Sequence, residues 1–270
     1  MVDSYVEAQG ARIHYRIDGP DNGPPVLLSN ALGTTLDMWS AQVEQLQSRF
    51  RLIRYDTRGH GRSSSPGGEY SLEELGEDAM HVLDAAGVED AHMCGLSLGG
   101  LTAMWLAVFQ PLRVRALVVA DTAARIGTTE RWIERAEKAR VEGMSAIADL
   151  TMNNWFTAAY REREPATVAR FQRMVAACNP DGYIGCCSAL RDADVRDVIT
   201  RVRASTLVIA GNHDPSTPVA DAELIVDRIP DATLLTFDAA HLANVEAAES
   251  FTRHLETFLG VAEHRYDATP

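Results

Sequence analysis

Residues 91–100 read Ala-His-Met-Cys-Gly-Leu-Ser-Leu-Gly-Gly. This largely apolar stretch contains one serine, with a glycine two residues before it and another two residues after it. The start of this stretch predicts a buried strand, and the residues after it follow a helical pattern. Gly95 and Gly99 allow the sharp turn that lifts the Ser97 hydroxyl clear of its neighbours. The stretch therefore predicts a nucleophilic serine between a strand and a helix. Serines in ordinary turns also have glycine neighbours, so the prediction needs support from other residues.

Two polar residues further along the chain are suitable partners for this serine. Residues 206–210 read Thr-Leu-Val-Ile-Ala, a pattern typical of a buried parallel strand, and Asp214 lies in the loop that follows. A second strand pattern covers residues 232–238, and His241 comes after it. Ligand sites of open parallel sheets lie outside the carboxyl ends of the strands, where both residues would be found. The order serine, acid, histidine is that of an α/β-hydrolase triad, so we predict that Ser97, Asp214 and His241 are catalytic.

The remaining chain alternates between strand patterns and helix patterns. Apolar runs rich in β-branched residues predict strands, and amphipathic periodicity predicts helices. The predicted strands cover residues 12–17, 25–29, 51–56 and 116–120, and the predicted helices cover residues 38–47, 100–109 and 247–259, with another that begins at a Ser71–Glu74 capping box. These repeats favour an α/β-hydrolase fold with a mostly parallel central sheet flanked by helices.

Residues 129–190 have helical periodicity and no convincing strand pattern. An all-helical block between two sets of strand–helix repeats indicates a cap inserted over the site. We therefore predict a hydrolase core of residues 1–123 and 195–263, a helical cap of residues 124–194 and a loose tail of residues 264–270.

The composition limits the classes of function that the chain can have. Its 270 residues, 46% of them hydrophobic, can bury a large core in one α/β domain, and its formal net charge of −13 argues against a nucleic-acid partner. No apolar stretch is long enough to span a bilayer and the amino terminus does not resemble a signal peptide, so we expect a cytoplasmic protein without membrane contact. Four cysteines are too few for a disulfide framework, and the adjacent Cys186 and Cys187 are predicted to be packing residues rather than metal ligands.

The predicted triad indicates acyl transfer through a covalent intermediate. A histidine has an ordinary pKa of about 6.5, which suits His241 to take the proton of Ser97 at neutral pH, while Asp214 would orient the imidazole. The tetrahedral intermediate carries an oxyanion that needs two donors. We expect one to be the backbone N–H of Leu98, directly after the nucleophile, and the other to be the N–H of Ala31, in the loop after the strand at 25–29.

In residues 29–34, 54–61, 94–100, 121–127 and 238–242 the chain resembles the 3-oxoadipate enol-lactonases, α/β-hydrolases of aromatic catabolism. The similarity runs from about residue 10 to residue 260, and the triad motifs within it are common to the whole superfamily. The stretches that point to this family are Thr122-Ala123-Ala124-Arg125-Ile126-Gly127 and the Cys186-Cys187 segment with Ala189-Leu190-Arg191-Asp192-Ala193-Asp194. Where many relatives have histidine and glycine before the residue that corresponds to Ala31, this chain has Ser29 and Asn30.

The resemblance implies a small enol lactone with a carboxymethyl group as the substrate, no metal and no cofactor. A carboxylate inside a strongly negative protein requires a local cation, and an arginine matches it with two parallel hydrogen bonds. We predict that Arg125 binds this carboxylate and that Trp132 forms an apolar wall; Arg131 and Arg135 open the first cap helix nearby. The sequence does not indicate an oligomeric state.

Other functions remain open at this point. A carboxylesterase, a carbon–carbon bond hydrolase or a perhydrolase would use the same fold and triad, because specificity lies in the pocket. A receptor that keeps the hydrolase scaffold without catalysis is an alternative from another class. Residues 58–61, Arg-Gly-His-Gly, lack the spacing of a phosphate-binding loop and are predicted to form a tight structural turn.

Overall fold

The computed structural model describes residues 3–267 and contains one eight-stranded sheet. Seven of its strands are close to or within the apolar runs seen in the sequence, and a short strand precedes them. The strands are β1 (Ser4–Ala8), β2 (Ala11–Asp18), β3 (Pro25–Ser29), β4 (Arg51–Tyr55), β5 (Ala91–Leu96), β6 (Val114–Ala120), β7 (Ser205–Gly211) and β8 (Ala232–Phe237).

The order of the strands across the sheet is β1-β2-β4-β3-β5-β6-β7-β8. β1 and β2 are antiparallel, β2 is antiparallel to β4, and every other pairing is parallel. The predicted mostly parallel sheet is therefore confirmed. Because β3, β5, β6, β7 and β8 run in the same direction, the loops after them meet at one edge of the sheet.

Helices flank the sheet and alternate with its strands. They are α1 (Ser40–Leu46), preceded by a 3-10 turn at Leu36–Trp39, α2 (Leu72–Ala85), α3 (Leu98–Phe109), α8 (Val219–Arg228), α9 (Ala243–Glu246) and α10 (Ala248–Asp267). α3 packs on β5 and β6, α8 packs on β7 and β8, and α1 packs against α10. All six residues of β5 are buried, so the strand that leads to Ser97 lies in the centre of the core.

The predicted capping box begins α2. The Ser71 hydroxyl oxygen accepts a hydrogen bond from the Glu74 N–H at 3.1 Å, and the Glu74 carboxylate accepts one from the Ser71 N–H at 2.8 Å. These two bonds pair N–H groups that a helix start otherwise leaves without partners.

Four helices lie between β6 and β7, as the periodicity predicted, and this part of the described chain contains no strand. They are α4 (Thr129–Trp155), α5 (Ala158–Arg163), α6 (Pro165–Ala176) and α7 (Pro180–Asp192). α4 packs against α6 and α7, and it is interrupted at Gly143, where φ is 79°. This helical segment supplies one wall of the cavity described below.

The carboxyl-terminal helix is longer than predicted. α10 continues to Asp267, so the predicted tail is wrong for residues 264–267, and the rest of it lies outside the described residues. Contacts remote in sequence explain the extra turns: Glu263 accepts hydrogen bonds from His92 at 2.7 Å and Arg115 at 2.8 Å, and the Arg115 guanidinium stacks on Tyr266. Such contacts leave no trace in the periodicity of the helix. Within residues 3–267, no helix combines the length and apolar character needed to cross a bilayer.

Candidate active site

Ser97 lies on a strained turn between β5 and α3. Its φ of 56° is in the region that favours glycine, and its N–H donates to the Ala120 carbonyl at 2.9 Å. A Cβ on Gly95 would lie 2.1 Å from the Gly99 carbonyl oxygen, and a Cβ on Gly99 would lie 2.2 Å from the Ser29 carbonyl oxygen. Both positions therefore need glycine for the strand and helix to approach this closely, as the motif predicted.

Asp214 and His241 are brought together by the loops after β7 and β8. The Nδ1–H of His241 donates to Asp214 Oδ2 at 2.7 Å, and the same oxygen accepts the Thr217 hydroxyl at 2.6 Å. The other carboxylate oxygen accepts the N–H of Ser216 at 2.7 Å and that of Thr217 at 3.2 Å. Burial raises the pKa of Asp214, but His241 and these donors hold that pKa below its ordinary value. The acid is thus kept ionised and fixes the tautomer that leaves Nε2 of His241 available as a base.

Ser97 and His241 line the same cavity. No hydrogen bond joins their side chains among the described residues, and such contacts are often long until a substrate is bound. The three residues predicted from the order of motifs therefore converge at one edge of the sheet. Their catalytic roles remain a prediction.

The two predicted oxyanion donors differ in their surroundings. The Leu98 N–H is the first of α3 and has no hydrogen-bond partner among the described residues. The N–H of Ala31 donates to Met38 Sδ at 3.3 Å, a sulfur that also accepts the Thr34 hydroxyl at 3.0 Å. A thioether is a weak acceptor, so an oxyanion would compete well for this N–H. Ala31 itself lines the cavity, and its role as a donor also remains a prediction.

Arg125, the predicted local cation, is not among the residues that line this cavity. Its guanidinium lies 3.6 Å from the Asp194 carboxylate and 3.5 Å from the Thr129 hydroxyl, and the side chain is partly exposed. The side chain is thus directed toward the two ends of the helical segment, at Thr129 and Asp194. Position in the sequence next to a strand end could not reveal that direction.

The cationic wall of the cavity is formed instead by Arg131 and Arg135, one turn apart on α4. Nε of Arg135 donates to the Tyr183 hydroxyl at 2.6 Å, and its Nη2 donates to the Thr151 hydroxyl at 2.6 Å. Within residues 3–267, neither arginine has a carboxylate within ion-pair distance. Burial and the charge of Arg135 lower the pKa of Arg131. The cavity therefore holds two neighbouring positive charges that repel each other until an anion enters.

Aromatic and aliphatic side chains form the rest of the wall. Trp132 lines the cavity, and its Nε1–H donates to the Ile126 carbonyl at 2.5 Å. Trp155 and Leu32 complete the apolar side. Contact of Trp132 with a substrate remains a prediction. A small ring could lie against this side with a charged group toward the arginines.

The cysteines were predicted to be packing residues rather than metal ligands. All four cysteines are free and buried, which agrees with the prediction that Cys186 and Cys187 are packing residues. Among residues 3–267, no group of three or more His, Cys, Asp or Glu side chains is placed to hold a metal ion.

Comparison with known proteins identifies the family. The sequence profile of the α/β hydrolase fold matches residues 24–248. The chain belongs to the α/β-hydrolase family. Among α/β-hydrolases it groups with 3-oxoadipate enol-lactonase 2 of Acinetobacter baylyi, to which it is 39% identical over 252 residues, 93% of this chain and 94% of that protein. It is 38% identical to 3-oxoadipate enol-lactonase 1 of the same organism over 251 residues, with the same coverage of each chain.

A solved α/β-hydrolase structure agrees with this grouping. The enol-lactonase from Burkholderia xenovorans superposes with a TM-score of 0.94 at 41% sequence identity, over 95% of this chain and 100% of that one. The likeness includes the helical segment between β6 and β7 as well as the sheet. The fold class predicted from the strand–helix repeats is therefore confirmed.

Proposed function

We propose that the protein hydrolyses 3-oxoadipate enol-lactone to 3-oxoadipate through an acyl-enzyme on Ser97. The observation that carries the proposal is the composition of one cavity: a serine and an aspartate-bound histidine face two arginines that have no carboxylate partner among the described residues. The enol-lactonases of similar sequence support the choice of substrate. An anionic lactone has an electrophilic carbonyl for Ser97 and His241 and a carboxylate for the two arginines.

The first half of the reaction opens the ring. Ser97 Oγ attacks the lactone carbonyl while His241 Nε2 takes the hydroxyl proton, and Asp214 stabilises the imidazolium that forms. The N–H of Leu98 stabilises the oxyanion together with that of Ala31. When the tetrahedral intermediate collapses, the bond between carbonyl carbon and ring oxygen breaks, and the leaving enolate takes the proton from the His241 imidazolium, which returns His241 to its neutral form. An enolate is a far better leaving group than an alkoxide, and once protonated it tautomerises to a ketone, which makes ring opening effectively irreversible.

The second half of the reaction releases the product. His241 takes a proton from a water molecule, and the resulting hydroxide attacks the ester carbon of the acyl-enzyme. Collapse of the second tetrahedral intermediate breaks the bond to Ser97 Oγ, which regains its proton from His241. The products balance as one lactone plus one water giving one oxo-dicarboxylic acid.

Substrate selection is proposed to come from the arginines of α4. Arg135 is held in place by Tyr183 and Thr151, and Arg131 lies beside it, so a carboxylate would relieve the repulsion between the two guanidinium groups. Trp132 would bind the apolar face of the ring. In this assignment Arg131 takes the role that the sequence gave to Arg125.

The assignment is tested by comparing an anionic and a neutral substrate. Enol lactone is generated in situ from its muconolactone isomer, and loss of its conjugated absorbance is followed beside hydrolysis of phenyl acetate. We expect Arg131→Ala to raise KM for the lactone by about 10- to 100-fold, the loss of a charge-assisted pair, and to leave phenyl acetate turnover unchanged. Arg125→Ala is the matched control and should change neither substrate.

Two outcomes would contradict the proposal. Equal turnover of lactone and neutral phenyl esters by the wild type would favour a general carboxylesterase. Failure of a fluorophosphonate to label the wild type, with Ser97→Ala as the negative control, would favour the non-catalytic receptor.

The proposal also covers the cellular compartment and the cofactor requirement. We propose a cytoplasmic enzyme that needs no cofactor and acts on a small anionic lactone. The four unpaired thiols support a reducing compartment, and the chemistry above requires only side chains and water.

A further inference from the structure

Asp121 lies between the loops that carry the predicted catalytic acid and base. It directly follows β6 and is completely buried. Its Oδ1 accepts the N–H of Gly211 at 2.8 Å, and its Oδ2 accepts the N–H of Ala243 at 3.0 Å. Gly211 is the last residue of β7 and precedes Asp214 by three positions, and Ala243 follows His241 by two. One carboxyl group therefore joins both loops.

The backbone of Asp121 is held in the same arrangement. Its N–H donates to the Ile209 carbonyl at 2.9 Å, which continues the pairing of β6 with β7 beyond the strand end. Its φ of 44° is uncommon for a residue other than glycine. A strained backbone of this kind persists where surrounding contacts hold it in place. Here the hydrogen bonds from the Gly211 and Ala243 N–H groups provide such contacts.

We infer that Asp121 is a positioning residue for the hydrolysis, which fixes the loop of Asp214 relative to the loop of His241 and so sets the hydrogen bond between them. The inference rests on the serine-hydrolase mechanism of the proposed function but not on its substrate. Asp121 does not line the cavity and touches no reacting atom. It acts through the two amides alone.

The charges around this arrangement make the pH dependence of the reaction a sensitive readout. Burial raises the pKa of Asp121, and the charge of Asp214 adds to the effect, while the Ala243 and Gly211 amides oppose it. The titratable or charged groups that act on Asp121 or Asp214 are His241, Glu246, Asp221 and Arg131. Replacing Asp121 alters the geometry of the bond between Asp214 and His241, and the acid limb of the pH–rate profile reports on that bond.

The test uses Asp121→Ala and Asp121→Asn, with Glu263→Gln as the matched control. Glu263 is also a carboxylate that joins two elements, through His92 and Arg115, but its partner His92 is near the start of β5, at the end of the strand away from Ser97. The readouts are the rate of fluorophosphonate labelling of Ser97 and the hydrolysis of p-nitrophenyl acetate across pH. Both require the triad and not the anionic substrate.

We expect Asp121→Ala to slow labelling and lower kcat by about 10- to 100-fold with little change in KM, because a small misplacement of reacting groups has an effect of this size. The acid side of the pH–rate profile should move to lower pH, because an imidazolium with weaker carboxylate support loses its proton more readily. Asp121→Asn keeps one acceptor and should recover part of the rate. The far-downfield proton NMR signal of the His241–Asp214 bond should weaken in Asp121→Ala and persist in Glu263→Gln.

A purely structural role predicts a different result. If Asp121→Ala, or Asp121→Asn should the alanine variant not fold, labels at the wild-type rate with an unmoved acid limb, the inference is overturned. A wild type that resists the fluorophosphonate overturns it as well. Turnover of p-nitrophenyl acetate without turnover of the enol lactone would refute only the proposed substrate.

Discussion

The backbone N–H of Gly33 donates to Nε2 of His60 at 2.9 Å. The Nδ1–H of the same ring donates to the Arg58 carbonyl at 3.1 Å, so the imidazole is neutral with a defined tautomer. His60 belongs to the Arg-Gly-His-Gly turn, and Gly33 to the loop that contains the predicted donor Ala31. The turn that the sequence assigned a structural role therefore supports the loop beside the nucleophile.

This relationship predicts a pH-dependent contribution to stability. Burial lowers the pKa of His60. Just below the ordinary histidine pKa, the unfolded chain therefore binds a proton at this residue that the folded protein does not bind. The stability advantage of wild type over His60→Ala should therefore be largest above the ordinary histidine pKa of about 6.5 and shrink as the pH falls below it. Urea denaturation of both proteins at about pH 8 and about pH 5.5 measures this difference.

His14 provides a control of opposite sign. Burial lowers the pKa of His14, but Asp56 and Asp3 raise it further, and the net shift is upward. Its contribution is fully present below the unfolded-state pKa and is lost as the pH rises through the folded-state value. The advantage of wild type over His14→Ala should thus grow as the pH falls. The same trend in both variants would contradict the assignment for His60.

The bond between Asp214 and His241 predicts the effect of an isosteric change. Asp214→Asn retains the shape of the side chain but favours the wrong imidazole tautomer, so kcat should fall by roughly 10⁴-fold with a small effect on KM. Asp221→Asn, a nearby carboxylate on α8 that does not contact His241, should stay within a factor of about 3 of wild type. Steady-state hydrolysis of p-nitrophenyl acetate measures both.

The contact of Tyr183 with Arg135 predicts a selective loss of affinity. Tyr183→Phe removes the hydroxyl that holds the guanidinium and leaves the buried ring in place. We expect KM for the anionic lactone to rise about 10- to 100-fold, the value of one hydrogen bond to a charged group, with no change for phenyl acetate. Tyr160→Phe removes a hydroxyl elsewhere in the helical segment and should affect neither substrate. Equal losses for both substrates would show that Tyr183 supports the cavity in general.

The backbone of Ser97 predicts that the nucleophile lowers stability. Its φ of 56° is accessible to glycine at no steric cost, whereas alanine retains the strain. Ser97→Gly should therefore unfold at higher temperature than Ser97→Ala, with a free energy of unfolding greater by about 1 kcal/mol. Both variants should resist fluorophosphonate labelling. Equal free energies of unfolding for the two variants would argue against strain at this turn.

The parts of the site that could be predicted from the sequence are those encoded locally. A strand pattern followed by Gly-Leu-Ser-Leu-Gly located Ser97, and strand ends located Asp214 and His241, because strand direction alone brings these loops together. The cation could not be assigned in this way. Arg125 follows the end of β6 by five residues, as Asp214 follows the end of β7 by three, but the direction of the Arg125 side chain depends on its contact with Asp194.

Contacts remote in sequence account for what the motifs missed. Arg135 is held by Tyr183, 48 residues away, and Asp121 joins Gly211 and Ala243, 90 and 122 residues away. The Ala31 N–H is directed at Met38 by the local fold of its loop, which no motif encodes. None of these relationships has a periodic signature in a single chain.

The placement of Arg131 and Arg135 on α4 has a consequence for how such enzymes diversify. Ser97, Asp214 and His241 lie on loops of the sheet, whereas both arginines belong to helices between β6 and β7, as do Thr151 and Tyr183, which hold Arg135. In the proposed function, bond cleavage and substrate selection therefore depend on different segments of the chain. Replacing the helices between β6 and β7 with those of another hydrolase should change the substrate preference and leave Ser97, Asp214 and His241 in place.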